Sequence, residues 1–300
     1  MPFGLLTGLG AALSWGAMDI AGALCSRLIG TLRVTAGIQL VCAVLLVLVA
    51  IVAGTTIPSD PSTLAMTVLL GLIGAGAYSA YYNGLRIGPI SVVSGMVAAY
   101  GGLTVVLSVA LRGESLTAIQ ALGATIATVG VILTGVAFDG GLRGTRFAGP
   151  GVIFAVAALV MFALMAIMMD VALETADWIQ VLLVSRLVIA LVVIIGIFVL
   201  AVADRRAKPR GAHAASEADP VPVRRVALML VVGGALDAIG LISFAIGLSS
   251  APTWMVGLAS SLGPAVTILV AVVSLGERLK AIQWFGLVGV AIGMVAIGLP

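Results

Sequence analysis

The chain has 300 residues, of which 62% are hydrophobic and 9% charged, and a formal net charge of +3. Soluble domains carry about 25% charged residues, so there is too little polar surface here to cover a water-soluble globule. The composition predicts a protein that crosses a membrane several times, and a net charge this small gives no reason to expect a nucleic-acid partner.

A hydrocarbon core about 30 Å thick asks for roughly 20 apolar residues per helix. In chain order such runs fall near 3–24, 33–53, 64–84, 90–111, 116–137, 149–169, 179–203, 226–247, 253–275 and 281–299, ten spans in all. No Lys or Arg precedes the first run, so it is expected to stay in the membrane instead of being cleaved as a leader. Cys25 and Cys42 lie in or beside apolar segments without ligand spacing and read as small packing residues. One polar stretch, ADRRAKPRGAHAASEADPVPVRR at 203–225, reads as a solvated, mobile loop that also holds the lone His213.

The phrase RGESLTAIQALG at 112–123 returns as LGERLKAIQWFG at 275–286. The offset from Gly113 to Gly276 is 163 residues, and it also carries Gly71 onto Gly234, Gly84 onto Gly247, Thr104 onto Thr267 and Gly130 onto Gly293. The first two spans of each half align at an offset of 147, Gln39 onto Arg186, the polar loop accounting for most of the difference. A constant offset over so long a stretch marks a duplicated unit. Five spans per copy is an odd number, so the second copy must cross in the opposite sense. The expected fold is therefore an all-α integral membrane protein, ten transmembrane helices arranged as two inverted five-helix repeats, 1–139 and 140–300. Connections after odd spans hold thirteen Lys and Arg, and those after even spans hold only Arg112. Positive charge marks the cytoplasmic side, which puts both termini outside.

Gly113 and Gly276 are expected to take the left-handed conformation that ends helices. Glu114 and Glu277 would then lie by the N-terminus of the following helix. Three ionisable residues sit inside apolar segments, where a charge costs about 2.5–3.5 kcal/mol: Asp19, Arg186 and Asp237. Arg186 and Asp237 fall at similar depths from one face, and are expected to pair or to meet a substrate carboxylate or ammonium. In GAYSAYYNG, Tyr78, Tyr81 and Tyr82 share one helical face. Tyr78, Tyr81 and Tyr100 are expected to line a cavity, whereas Tyr82, Asn83 and Trp254 read as interfacial aromatic-belt positions. Pro264 cannot donate to the carbonyl of Ser260, so the ninth span should kink there and turn that face inward. The aligned Tyr100-Gly101 lacks such a constraint, and the two halves are expected to differ in this respect.

With ten spans in hand, Ala12-Leu13-Ser14-Trp15-Gly16 in the first helix and the duplicated Gly-Glu-x-Leu junction resemble the EamA-like family of the drug/metabolite transporter superfamily. The resemblance implies a ten-helix carrier, often an exporter of amino acids or other small metabolites, with a cavity built mainly by the third, fourth, eighth and ninth helices. It also implies termini inside and a basic loop after the second span, against the charge count and against the loop AGTTIPSDPS found there.

The expected function is secondary transport of small organic, amino-acid-like metabolites, with efflux as the expected direction, across a plasma or inner membrane. The candidate substrate-binding residues are Tyr78, Tyr81, Tyr100, Arg186, Asp237, Ser260 and Pro264, with Asp19 or Asp237 as possible proton-coupling groups. No catalytic residue, metal site or cofactor is expected, and no Gly-x-x-x-x-Gly-Lys-Ser/Thr appears to hold a nucleotide. An integral membrane enzyme, or a structural or sensory membrane protein, is the alternative. The first would call for clustered His, Asp or Cys, and the second leaves a duplicated unit with buried charges unexplained.

Overall fold

A computed structural model describes residues 2–87, 90–135, 150–206, 223–263, 265–266 and 281–298. Among them the secondary structure is entirely helical. The helices are α1 (Pro2–Ile29), α2 (Thr31–Ala53), α3 (Pro61–Ile87), α4 (Ile90–Ala98), α5 (Tyr100–Arg112), α6 (Ala118–Gly135), α7 (Pro150–Leu173), α8 (Trp178–Arg206), α9 (Val223–Leu248), α10 (Thr253–Ser260) and α11 (Ala281–Gly298). Among the described residues, seven segments are long and apolar enough to cross a membrane: Phe3–Ser26, Thr31–Ala53, Pro61–Ile87, Gly95–Arg112, Gly151–Leu173, Trp178–Val199 and Val223–Leu248. The apolar helices α6 and α11 are shorter. Pro264, Gly276, Glu277, His213 and the stretch 207–222 lie outside the described residues.

Local chemistry sets the ends. Proline opens α1, α3 and α7, where its missing N–H would have no helical partner in any case. Asp60 caps α3, accepting from the Thr63 backbone N–H at 2.8 Å. Asp177 caps α8 through the Ile179 N–H at 2.8 Å, and Gln180 reaches back to the Asp177 N–H at 3.3 Å, a capping box. The expected polar loop is shorter than 203–225, because α8 continues to Arg206 and α9 begins at Val223. Gly113 ends α5 at φ 68°, the left-handed conformation expected of it.

Packing follows the duplication. Helix α1 packs on α9, and its counterpart α7 on α3. Likewise α3 packs on α8 as α9 does on α2, while α2 meets α8 and α6 meets α11. Gly123 lies against Gly293 and Ala296, and Gly130 against Gly286 and Val290, so α6 and α11 run antiparallel. A Cβ on Gly130 would fall 2.7 Å from the Val290 backbone nitrogen, so only glycine permits that approach. Gly10 faces Ser243 whereas Gly240 faces Trp15, which makes α1 and α9 antiparallel too. Gly37 faces Leu230 and Gly234 faces Val41, so α2 and α9 run parallel.

Both halves interrupt their fourth span, although only the second was expected to be forced to. Ala99 separates α4 from α5, its N–H bonded three residues back to Met96. In the second half α10 stops at Ser260, and Leu262 bonds back to Ala259 in the same way. The 163-residue offset carries Ala99 onto Leu262. In the first half Gly101-Gly102 weakens the helix without a proline, and Gly101 accepts the close approach of Ser261 and the Leu258 backbone. Apolar side chains such as Leu111, Phe198 and Phe285 cover the outside, and Arg186, Asp237 and Gln39 are buried inside. That distribution suits a protein whose solvent is lipid.

Candidate functional site

The interior charges were the costliest residues in the sequence, and the fold brings them together. Arg186 of α8 and Asp237 of α9 are 1% and 0% exposed, and pair at 3.5 Å through both guanidinium nitrogens. The guanidinium also donates to the Gln39 carbonyl oxygen at 2.5 Å and to the Tyr78 hydroxyl at 3.0 Å. The carboxylate accepts from Gln39 at 3.3 Å and from Tyr78 at 3.4 Å. Tyr78 further presents its ring to Arg186, with 5.0 Å between the guanidinium carbon and the ring centroid. Four side chains from α2, α3, α8 and α9 thus form one closed, neutral network. Gln39 escaped notice as a site residue because a neutral amide costs far less in lipid than a charge; only its alignment with Arg186 pointed to it.

Beside this network lies a cavity of about 90 Å³. Tyr78, Tyr81, Tyr100, Arg186, Ser260 and Asp19 all reach its wall. Asp237 does not: Arg186 and Tyr78 stand in front of it, so this candidate belongs behind the wall. Tyr100 and Ser260 share a hydroxyl–hydroxyl hydrogen bond of 2.7 Å across α5 and α10. Tyr81 donates to Asp19 at 2.9 Å. The wall also draws on α1, α7 and, through Arg186, α8, beyond the third, fourth, eighth and ninth spans that the resemblance implied. Phe162 of α7 packs its ring against Tyr78, Tyr81 and Tyr100, at 5.3, 6.1 and 6.0 Å between centroids.

The lining pairs off under the repeat. Offsets of 147 and 163 carry Trp15 onto Phe162, Met18 onto Met165, Asp19 onto Ala166, Tyr78 onto Leu241 and Tyr81 onto Phe244. They also carry Val97 onto Ser260, Ala98 onto Ser261 and Tyr100 onto Gly263, and both members of every pair line the cavity. The cavity therefore sits where the two copies exchange. Its shell is shared, and most of its polar groups fall on one member of a pair only.

Two expectations fail nearby. Tyr82 and Trp254 are not belt residues: they are 0% and 1% exposed. Tyr82 turns toward Gly22 of α1, and Trp254 packs with Leu258, Ala124 and Ala127. A glycine opposite one ring and a groove of small residues under the other make helix–helix burial the better use of that surface. Glu114 also departs from expectation. Its carboxylate accepts the backbone N–H groups of Thr253 at 2.8 Å and Trp254 at 3.2 Å, capping α10 of the other copy and not its own successor α6. Ser108 donates to it as well. Helix α6 is capped instead by Thr117 and Gln120, which bond each other's backbone N–H groups at 3.3 and 3.0 Å. On the same face Arg112 pairs with Asp170 at 2.7 Å and with Glu174, and Gln180 donates to the Thr56 carbonyl at 2.8 Å.

A multi-pass helical protein made of two related units, with a partly polar cavity where they meet, belongs to the class of membrane transporters. The particular family is shown by the sequence: the chain belongs to the EamA-like transporter family, whose model matches residues 2–136 and again 149–299. A solved crystal structure superposes with a TM-score of 0.77 over 98% of this chain and 96% of that one, at 19% identity, and so supports the fold. No curated protein matches significantly.

Proposed function

We propose that this protein is a secondary transporter of small organic, amino-acid-like metabolites, exporting them across a plasma or inner membrane by alternating access. The observation that carries the reading is the cavity at the exchange point of the two copies. Ten spans in two inverted units give a shell that can close at either face by the same packing in mirror order. The polar stitching by Glu114, Arg112 and Gln180 all lies on the face of the even connections, and supports reading this conformation as closed there. No nucleotide-binding phrase is present in the sequence, which favours a gradient as the driving force. Asp237 is held by Arg186, so Asp19 is the carboxylate left to exchange a proton.

The test is flux. Purified protein in proteoliposomes is expected to release preloaded amino acids or amines faster than empty vesicles, with the rate altered by an imposed pH gradient. Absence of protein-dependent flux across a broad panel of such solutes would overturn the transport reading.

A further inference from the structure

Two charged side chains reach the cavity wall, and they are not equivalent. The positive one is already neutralised: Arg186 is 1% exposed, ion-paired to Asp237, and bonded to Gln39 and Tyr78. Both terminal nitrogens of its guanidinium are engaged by these partners. The negative one, Asp19, has no cationic partner among the described residues, and takes a hydrogen bond from Tyr81 to one carboxylate oxygen. With Asp19 ionised, Arg186, Asp237 and Asp19 together leave one negative charge unmatched beside the cavity. A charge at membrane depth is costly until a counter-charge arrives. The surrounding walls are aromatic faces, Trp15, Tyr81, Tyr100, Phe162 and Phe244, which attract cations through their ring quadrupoles and hold apolar bodies.

We infer that Asp19, positioned by Tyr81, is the receptor for the ammonium end of a cationic organic solute with an aromatic or apolar body, and that a carboxylate on the solute is not recognised. This rests on the transport reading for its place in the cycle and narrows it: the preferred class is amines over amino acids. An ammonium supplies three donors where the carboxylate still has acceptor capacity. A solute carboxylate would find both terminal nitrogens of Arg186 already engaged and would sit near an unmatched negative charge. A bare inorganic cation could answer the charge but would leave the aromatic walls unused.

The experiment is equilibrium binding to the full chain in nanodiscs, with three probes that share one ring: 2-phenylethylamine, phenylalanine and 3-phenylpropionate. Phenylethylammonium is expected to bind tightest, phenylalanine at least about 10-fold more weakly, and phenylpropionate not at all. D19N keeps an acceptor for Tyr81, and is expected to weaken phenylethylammonium binding by about 10- to 100-fold, the range for one lost charge-assisted hydrogen bond. Sodium chloride should displace the amine no more than potassium chloride of equal ionic strength does. Tighter binding of phenylalanine or phenylpropionate, unchanged amine binding in D19N, or specific displacement by sodium would each overturn the inference. Where D19N does not fold, the ranking of the three probes on the unaltered protein decides. Amine binding in this order without any flux in proteoliposomes would sink the transport reading and leave the binding site standing.

Discussion

The Arg186–Asp237 pair offers the sharpest test of how the interior is held. Replacing Asp237 by Asn leaves a guanidinium at 1% exposure with neutral partners only, Gln39 at 2.5 Å and Tyr78 at 3.0 Å. Breaking a buried pair from one side costs about 3–5 kcal/mol, because the surviving charge is stranded. R186Q strands the carboxylate instead and should cost a similar amount. The double variant R186Q/D237N has no charge to strand. It can rebuild amide and hydroxyl hydrogen bonds with Gln39 and Tyr78, so its loss should be about 1–2 kcal/mol, two neutral hydrogen bonds made less well. The coupling between the two positions is then at least about 4 kcal/mol. The repeat itself gives a reason to expect tolerance: the related positions hold Gln39 and Gly74, so the first copy does without either charge. Unfolding in mixed micelles titrated with denaturing detergent measures all four proteins. Additive losses, with coupling below about 0.5 kcal/mol, would show that the pair is not an energetic unit and that each charge finds its compensation elsewhere.

E114A should remove the cap on α10 and cost about 1–2 kcal/mol, with hydrogen exchange accelerating at the Thr253 and Trp254 amides while those of Thr117–Ala121 stay protected. Acceleration confined to α6 would contradict the cross-copy cap. At Asp60, the Ser62 hydroxyl first, then the Thr63 backbone N–H and hydroxyl, hold the carboxyl below the ordinary carboxylate range. Its contribution to the start of α3 is therefore complete above about pH 4, the unfolded value, and is lost as pH falls through the lower folded value. Exchange at the Thr63 amide should rise over that acid range in the native protein and be insensitive to it in D60N.

How much of this was legible depended on whether lipid or neighbouring helices made the decision. The helices, the duplication and the Arg186–Asp237 pairing could be read because the hydrocarbon core allows few lengths and few places for a charge. The positions of Tyr82 and Trp254 could not. An aromatic near a span end suits an interface equally well, and only the small residues of another helix, Gly22 or Ala124 and Ala127, favoured burial. Glu114 is the clearest case. Sequence adjacency named α6 as its partner, yet Thr117 and Gln120 already satisfied that helix. Lateral packing then brought the bare N–H groups of α10 within reach. That partner is 139 residues away in the chain, and nothing local encodes it.

The pairing of cavity residues separates two demands on such a molecule. Closing at either face by related motions requires that the two copies present similar surfaces, and the bulky shell meets this: Trp15 answers Phe162, Met18 answers Met165, and Tyr81 answers Phe244. Holding an asymmetric solute requires the opposite. Asp19 is accordingly matched in the other copy by Ala166, Tyr100 by Gly263, and Ser260 by Val97. Had both copies carried the acid, two carboxylates would crowd one small cavity and repel each other. Had neither, the cavity wall would carry no unmatched charge to fix a ligand's orientation. On the proposed transport reading, one shared ring surface with one unshared charge lets the shell alternate while the solute keeps a single polar anchor. A second carboxylate introduced as A166D should for that reason weaken the site and not double it.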